Sequence, residues 1–196
     1  MLALFCVGAI AQEKAASTNA TTNAAPRRQQ NLRPLPDVKY ELGPDSKRKE
    51  GVPQGKVTDF DWKESKVFPG TIRHCSVYVP AQYDGSKPAA LMVFQDGHTY
   101  LKEDGDFRAP TVFDNLIAAK EMPVTIGIFV DPGFKQATFP TNSVRGWRPE
   151  PQNRSFEYDS LGPAYSEFLL TEIIPYVKEH FKLKIVDEPE IGRAHV

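Results

Sequence analysis

The residues best placed for chemistry lie in the short segment 94–100, which reads Phe-Gln-Asp-Gly-His-Thr-Tyr. It follows the apolar run Ala89–Phe94, whose composition is typical of a strand covered on both faces. A glycine just beyond the carboxyl end of a central strand lies where open α/β sheets bind ligands. Backbone donors at such a position can face a substrate and stabilise the negative charge that develops in acyl transfer. The alternative is an ordinary Asp-Gly turn, and this motif alone favours it.

His98 follows the glycine of this segment and invites interpretation as a general base. A catalytic histidine needs a nucleophile and an orienting acid within reach, and the sequence gives no such geometry. A pocket-lining role is therefore favoured. The chain has four histidines, and none has a histidine or cysteine neighbour at metal-ligand spacing. We accordingly predict neither a metal site nor an organic cofactor.

A second group of polar and aromatic residues lies in the long connection 131–159. Connections of this length and composition are usually functional, so we expect this one to line a cleft together with Asp96. Its cleft-lining candidates are Trp147, Arg154 and Glu157. Arg154 and Glu157 form either a surface ion pair of little energetic weight or a buried pair that fixes the loop. A structural role is favoured over direct substrate contact.

The surrounding pattern predicts the elements that position these residues. Lys56–Trp62 and Thr71–Val79 alternate apolar and polar residues, which indicates an edge strand and a second strand beside it. Ala89–Phe94 and Pro123–Val130 are apolar throughout and predict central strands. Thr111–Lys120, between them, has helical spacing, so the order strand, helix, strand predicts a parallel crossover.

A long amphipathic helix is predicted over Gly162–Phe181, because its apolar residues recur at helical spacing. Pro175 lacks an N–H, so we expect a kink or a restart there. Leu183–Val186 would begin the next strand. The fold class is therefore α/β, with a mostly parallel sheet and flanking helices.

Composition limits the classes of partner. The chain has 196 residues, a hydrophobic content of 40%, 17 prolines and a net charge of −1, which fits one globular domain with irregular flanks. Because its charge is nearly balanced, the chain has no strong positive electrostatic field that would attract nucleic acid or an anionic membrane surface. We therefore expect no nucleic-acid partner and no stable membrane association, and the oligomeric state is left open.

The flanks are predicted from their composition. Residues 1–11 form a short apolar run that ends in Ala-Ile-Ala, which indicates a signal peptide and a secreted or periplasmic protein. The run lacks a basic n-region, so the true start could lie upstream. Residues 12–50 have no apolar period and predict a disordered linker, and an ordered domain is expected over 51–190. Cys6 would leave with the signal, so Cys75 is expected in the core without a disulfide partner.

The order and spacing of several motifs resemble the esterase family that includes enterochelin esterases, esterase D and feruloyl esterases. The resemblance covers about residues 51–186 and implies an α/β-hydrolase fold with ester cleavage by a Ser-His-Asp/Glu triad. It also implies that Gly97 and His98 belong to the oxyanion loop and that Arg154 and Glu157 form a conformational pair beside the pocket. The motifs are Val77-Tyr78-Val79-Pro80, Val93-Phe94-Gln95-Asp96-Gly97, Arg154-x-x-Glu157-Tyr158-Asp159 and Phe168-Leu169-x-x-Glu172-x-Ile174-Pro175-Tyr176-Val177.

The departure from that family concerns the nucleophile. Family members carry it in a Gly-x-Ser-x-Gly elbow on the strand after the long helix, with the acid and the histidine later in the chain. The sequence contains no Gly-x-Ser-x-Gly. We therefore expect an N-terminal half that lacks the catalytic triad and is inactive by itself. Residues 191–196 back-translate to a common sequencing-adapter string, which predicts a non-native tail.

Two other classes stay open at this point. One is a non-catalytic module that binds carbohydrate or another ligand, with Phe134 and Trp147 stacking on sugar rings. The other is an esterase-like domain in a larger protein that carries a second catalytic domain, such as a lactonase-type β-propeller. For the esterase, the expected substrate is a small-molecule or carbohydrate-linked ester.

Overall fold

The structure, a computed structural model, describes residues 41–143 and 150–186. Four strands form one sheet: β1 (Lys56–Trp62), β2 (Arg73–Val79), β3 (Ala90–Gln95) and β4 (Thr125–Val130). The helices are α1 (His98–Leu101), α2 (Ala109–Ala118), α3 (Arg154–Tyr158), α4 (Ala164–Phe168) and α5 (Ile174–His180). A 3-10 turn, Pro44–Ser46, precedes the sheet. These elements confirm the predicted α/β class.

The strand order is β1-β2-β4-β3. β2 runs antiparallel to both β1 and β4, and β3 runs parallel to β4 with Gln95 opposite Val130. The sheet that the structure describes is therefore mixed, with one parallel and two antiparallel pairings, where the sequence predicts a mostly parallel one. The reason is that a parallel pair needs a long crossover, and among these strands only β3 and β4 are joined through such a connection, which contains α2.

Among the described strands, β3 lies at the edge of the sheet, although its apolar composition predicts a covered central strand. All six residues of β4 are buried, whereas β3 is only partly buried and Met92 is 42% exposed. On its outer side, the described contact is the parallel bridge between Ala89 and Ile185. That bridge lies where the sequence predicted the next strand to begin. An apolar run indicates that a strand can be buried, but it does not specify which element of the fold covers that strand.

Helices cover both faces of the sheet. α2 packs on one face against Tyr78 and Phe129. α4 and α5 cover the other face, where Phe168 and Val177 meet the side chains of β2 and β4. The long C-terminal helix is interrupted, as predicted, because a π-helical turn, Leu169–Ile173, separates α4 from α5.

The interruption follows from Pro175, the second residue of α5. Its ring nitrogen cannot donate to the carbonyl of Thr171, so the regular i to i−4 hydrogen-bond ladder cannot pass through this position. The chain widens into a π turn immediately before it and restarts as α5.

The segment before β1 makes defined contacts with α2. The buried carboxylate of Asp114 accepts hydrogen bonds from Arg48 Nη1 at 2.7 Å, from the backbone of Gly55 at 2.8 Å and from the hydroxyl of Tyr78 at 2.7 Å. Asn115 donates to the carbonyls of Asp45 and Lys47. Contacts therefore begin before residue 51, because buried polar groups on α2 supply partners that local composition does not reveal.

Several predictions on the flanks fall outside the described residues: the signal peptide 1–11, most of the linker 12–50 and the tail 191–196. Cys75 is buried in the core, as expected. Within the described ranges, no helix has the length and apolar character that a bilayer span requires.

Candidate active site at the carboxyl edge of the sheet

The loop after β3 is held by close backbone packing. A Cβ placed on Gly97 would lie 2.5 Å from the backbone nitrogen of Val130 and 2.6 Å from Cβ of Phe129. Only glycine allows this approach. Asp96, just before it, has a φ of 54°, in the left-handed region that non-glycine residues seldom adopt. The Asp-Gly pair is therefore more than an ordinary surface turn, because it packs the loop onto β4.

His98 is fixed by a carboxylate that sequence analysis did not select. Asp131 directly follows β4, and its Oδ1 accepts the backbone N–H of His98 at 3.0 Å and lies 2.8 Å from His98 Nδ1. The two side chains are only 9% and 8% exposed. His98 Nε2 lies 3.3 Å from Thr99 Oγ1. The orienting acid that a catalytic histidine requires is thus present, and it holds both the backbone and the ring of His98.

The backbone amides of the loop all have protein acceptors in this conformation. Asp96 N–H points to the hydroxyl of Tyr158 at 3.4 Å, and Gly97 N–H donates to the carbonyl of Val130 at 3.2 Å. His98 N–H donates to Asp131, as described above. An oxyanion donor must point to the position where charge develops on the substrate. The amide of His98 could serve there only after the Asp131 carboxylate releases it, so the oxyanion role of Gly97 and His98 stays a prediction.

Arg154, on α3, holds the loop from the other side. Its Nε and Nη2 donate to the two carboxylate oxygens of Asp96 at 3.1 and 2.7 Å. The side chains are 32% and 22% exposed, and the guanidinium lies 5.4 Å from the ring centre of Tyr158. The hydrogen bond that Arg154 donates to Asp96 raises the pKa of Arg154 and outweighs the opposing effect of burial. Arg154 and Asp96 therefore form a two-pronged charged pair at the edge of the sheet.

The predicted pair between Arg154 and Glu157 is wrong. Glu157 is fully buried and pairs with Arg73 of β2, with Nη1 to Oε2 at 2.6 Å and Nη2 to Oε1 at 2.9 Å. Asn153 Nδ2 donates to the same carboxylate at 2.8 Å. On the short helix α3, residues 154 and 157 point in different directions, so Arg154 meets the loop and Glu157 meets the core.

The buried Arg73–Glu157 pair anchors α3 to the sheet. The guanidinium carbon of Arg73 lies 4.3 Å from the ring centre of Phe168 and 5.6 Å from that of Phe68. A Cβ on Gly133 would lie 2.7 Å from Glu157 Oε1, so glycine is needed there too. Glu157 is therefore part of a buried pair, but its partner is Arg73, so neither predicted form of an Arg154–Glu157 pair is present.

Two tyrosines complete the edge. The hydroxyl of Tyr158 lies 3.4 Å from the carbonyl of Val130 and packs beside Tyr165, with the two rings edge to face at 5.1 Å. Burial raises the pKa of both phenols far above the ordinary value, so both remain protonated. Neither tyrosine was selected from the sequence.

One signal could have revealed Asp131. It follows the apolar strand β4 as Asp96 follows the apolar strand β3, and the carboxyl ends of parallel strands meet at one edge. Arg73 gave no such signal, because a charged residue in an alternating strand usually faces solvent.

The structure brings together Asp96, Gly97, His98 and Arg154 at one edge of the sheet, and places Glu157 behind them. Trp147 lies outside the described residues. In the ranges 41–143 and 150–186, no group of three or more potential ligands could hold a metal ion.

The fold and site define a class of protein: an α/β domain with a glycine loop that is packed and charge-paired beyond its parallel strand pair. The sequence profile of the family described as "Putative esterase" matches residues 65–188. This match covers more than half of the chain, and the chain belongs to that family. No curated protein sequence matches it significantly.

Several solved structures are similar to the chain. A ferulic acid esterase from Anaeromyces mucronatus, in complex with ferulic acid, has a TM-score of 0.48 and 20% identity, over 72% of this chain and 48% of its own. A feruloyl esterase module from Clostridium thermocellum, complexed with sinapinate, has a TM-score of 0.42 and 17% identity, over 77% of this chain and 44% of its own. The chain therefore spans about half the length of these proteins.

Proposed function

We propose that the chain is the N-terminal half of a serine esterase, a carboxylic ester hydrolase of the enterochelin esterase-like branch of its family. One observation carries this proposal. A chain of the esterase family has a glycine loop beyond β3 that is packed onto β4 and held by charged groups from two sides. Acyl transfer needs such a rigid loop, because oxyanion donors stabilise the transition state only when they are fixed in advance.

The proposed reaction has two steps. A serine attacks the ester carbonyl while a histidine takes the serine proton and passes it to the leaving alcohol, which leaves an acyl-enzyme. Water, activated by the same histidine, then releases the carboxylic acid and restores the serine. We place this serine, the triad acid and the histidine downstream of this chain. The residues of this chain would hold the acyl oxygen, through the amides near Gly97, and line the cleft, through Asp96, Arg154 and Trp147.

The substrate is proposed to be a small-molecule or carbohydrate-linked ester, and no cofactor takes part. The Ala-Ile-Ala site at residues 9–11 supports export, so we propose a secreted or periplasmic location.

The test compares the 196-residue chain with the same chain extended by its natural downstream sequence. We expect hydrolysis of p-nitrophenyl acetate and labelling of one serine by a fluorophosphonate in the extended protein. We expect neither in the 196-residue chain. Robust turnover by the short chain would contradict the proposed division of the site, and an extended protein with neither turnover nor serine labelling would refute the esterase.

A further inference from the structure

The loop after β3 is held by two side chains of α3 that are neighbours on one side of that helix. We propose that Arg154 and Tyr158 are positioning residues that together hold Asp96 in its left-handed conformation and so set the direction of the Gly97 and His98 amides. This proposal rests on the proposed esterase function where it concerns catalysis. It deepens that function by naming residues that act on the reaction through the loop.

The two side chains hold different parts of the same residue. Arg154 binds both carboxylate oxygens of Asp96, at 3.1 and 2.7 Å. The Tyr158 hydroxyl lies 3.4 Å from the backbone nitrogen of Asp96 and 3.4 Å from the carbonyl of Val130. Both the side chain and the backbone of Asp96 are thus tied to α3, while Val130 ties the same hydroxyl to the end of β4.

The conformation of Asp96 requires such support. A φ of 54° is uncommon for any residue with a Cβ. The next two amides depend on it, because rotation at Asp96 turns the peptide planes that carry the N–H groups of Gly97 and His98. Residues with unusual dihedral angles persist at functional sites only where surrounding contacts determine them.

The helix that carries the two side chains is itself rigidly placed. Residues 154 and 158 are four apart and share a side of α3, whereas Glu157 points the other way into its fully buried contact with Arg73. Asn153 and Gly133 donate to the same carboxylate. The loop after β3 can therefore move only if it breaks its contacts with α3. Because α3 is anchored in the core through Glu157, it connects the loop to β2.

The contacts also argue against Arg154 as a substrate ligand. Its Nε and Nη2 are oriented by Asp96, and its guanidinium packs on the Tyr158 ring at 5.4 Å. A residue that binds substrate changes KM when it is replaced, whereas a residue that aims an oxyanion donor changes mainly kcat.

The experiment uses the protein with its natural downstream sequence and compares Tyr158→Phe, Arg154→Lys and Asp96→Asn with the parent. Ser155→Ala, an exposed change on the same helix, is the matched control. We expect kcat for p-nitrophenyl acetate to fall by about 10- to 100-fold in the three variants and KM to change by less than about twofold. A loss of this size is typical when a catalytic group is displaced by a small distance. The double variant Asp96→Asn/Arg154→Lys should be no slower than the slower single variant, because both changes break one contact.

Amide hydrogen exchange provides a readout that does not depend on catalysis. We expect the amides of residues 97 and 98 to exchange about tenfold faster or more in Tyr158→Phe, with exchange in β2 and α2 unchanged. Unchanged exchange and unchanged kcat would overturn the proposal, as would faster exchange throughout the domain. If the parent protein does not hydrolyse esters, the proposed function fails. The exchange data still decide whether Arg154 and Tyr158 hold the loop after β3 in place.

Discussion

The most consequential single residues are charged groups that the fold withdraws from water. Arg73 and Glu157 are both fully buried, and their two hydrogen bonds, with those from Asn153 and Gly133, satisfy most of their polar atoms. Such a pair contributes little net stability compared with apolar residues of the same size, but breaking it leaves one charge buried without its partner. Its main role here is to fix where α3 lies.

This argument predicts an asymmetry between single and double variants. Arg73→Met should lower the free energy of unfolding by about 3 to 5 kcal/mol, because Glu157 would be left buried and unpaired. Arg73→Met combined with Glu157→Leu should be markedly more stable than Arg73→Met alone, since no charge then remains in the core. Urea denaturation monitored by tryptophan fluorescence would measure both. A double variant that loses the sum of the two single effects would show that the charges act independently.

Glu172 gives a prediction of pH dependence. Burial raises its pKa, but hydrogen bonds from the backbone of Val67 and Lys66 and from Ser65 and Trp62 outweigh burial, so its pKa lies below the ordinary value. A carboxyl group whose pKa is lower in the folded state stabilises the fold above its unfolded pKa of about 4.3, and this contribution is lost as the pH falls through the folded pKa.

Glu172→Gln should therefore be less stable than the parent at pH 7, and the difference should shrink steadily below about pH 4. Thermal unfolding at a series of pH values would measure it, with the exposed Glu167→Gln, on the preceding helix, as the control. A stability difference that does not change between pH 7 and pH 3 would show that Glu172 contributes through shape and not through charge.

At the scale of elements, the sequence predicted each strand and helix to within a few residues where hydrophobic period was the signal. The alternation in β1 and β2, the apolar run of β4 and the interruption near Pro175 were all confirmed. What could not be predicted were contacts between distant residues. Asp96 with Arg154, Glu157 with Arg73 and His98 with Asp131 join positions that are far apart in sequence, and local pattern carries no information on such pairing.

The segment before β1 shows the same limit and can be tested by truncation. Asp114 and Asn115 on α2 bind Arg48, Asp45 and Lys47. A protein that starts at residue 51 should be about 1 to 3 kcal/mol less stable than one that starts at residue 41, because buried hydrogen-bonding groups on α2 lose their partners. Differential scanning calorimetry of the two truncated proteins would measure the difference. Equal melting temperatures would support the composition-based start of the domain at Gly51.

At the scale of the whole molecule, we expect the outer side of β3 to govern self-association of the chain. In the part of the chain that the structure describes, no strand pairs with β3 on that side, and the bridge to Ile185 is made by Ala89, the residue before β3. The outward backbone groups of β3 and the exposed Met92 present an edge that can pair with a second copy of the chain. We therefore predict concentration-dependent self-association of the 196-residue chain, visible by sedimentation velocity.

A charged residue on this edge should weaken the association, since natural edge strands use lysine to prevent pairing. We expect Met92→Lys to shift the chain toward the monomer, whereas Leu170→Lys, which removes a similarly exposed apolar side chain from the helical face and adds the same charge, should not. If both variants reduce association equally, net charge or exposed apolar area drives it and the edge does not. If the parent chain stays monomeric up to high micromolar concentration, the edge is protected in solution, and its exposure has no consequence for assembly.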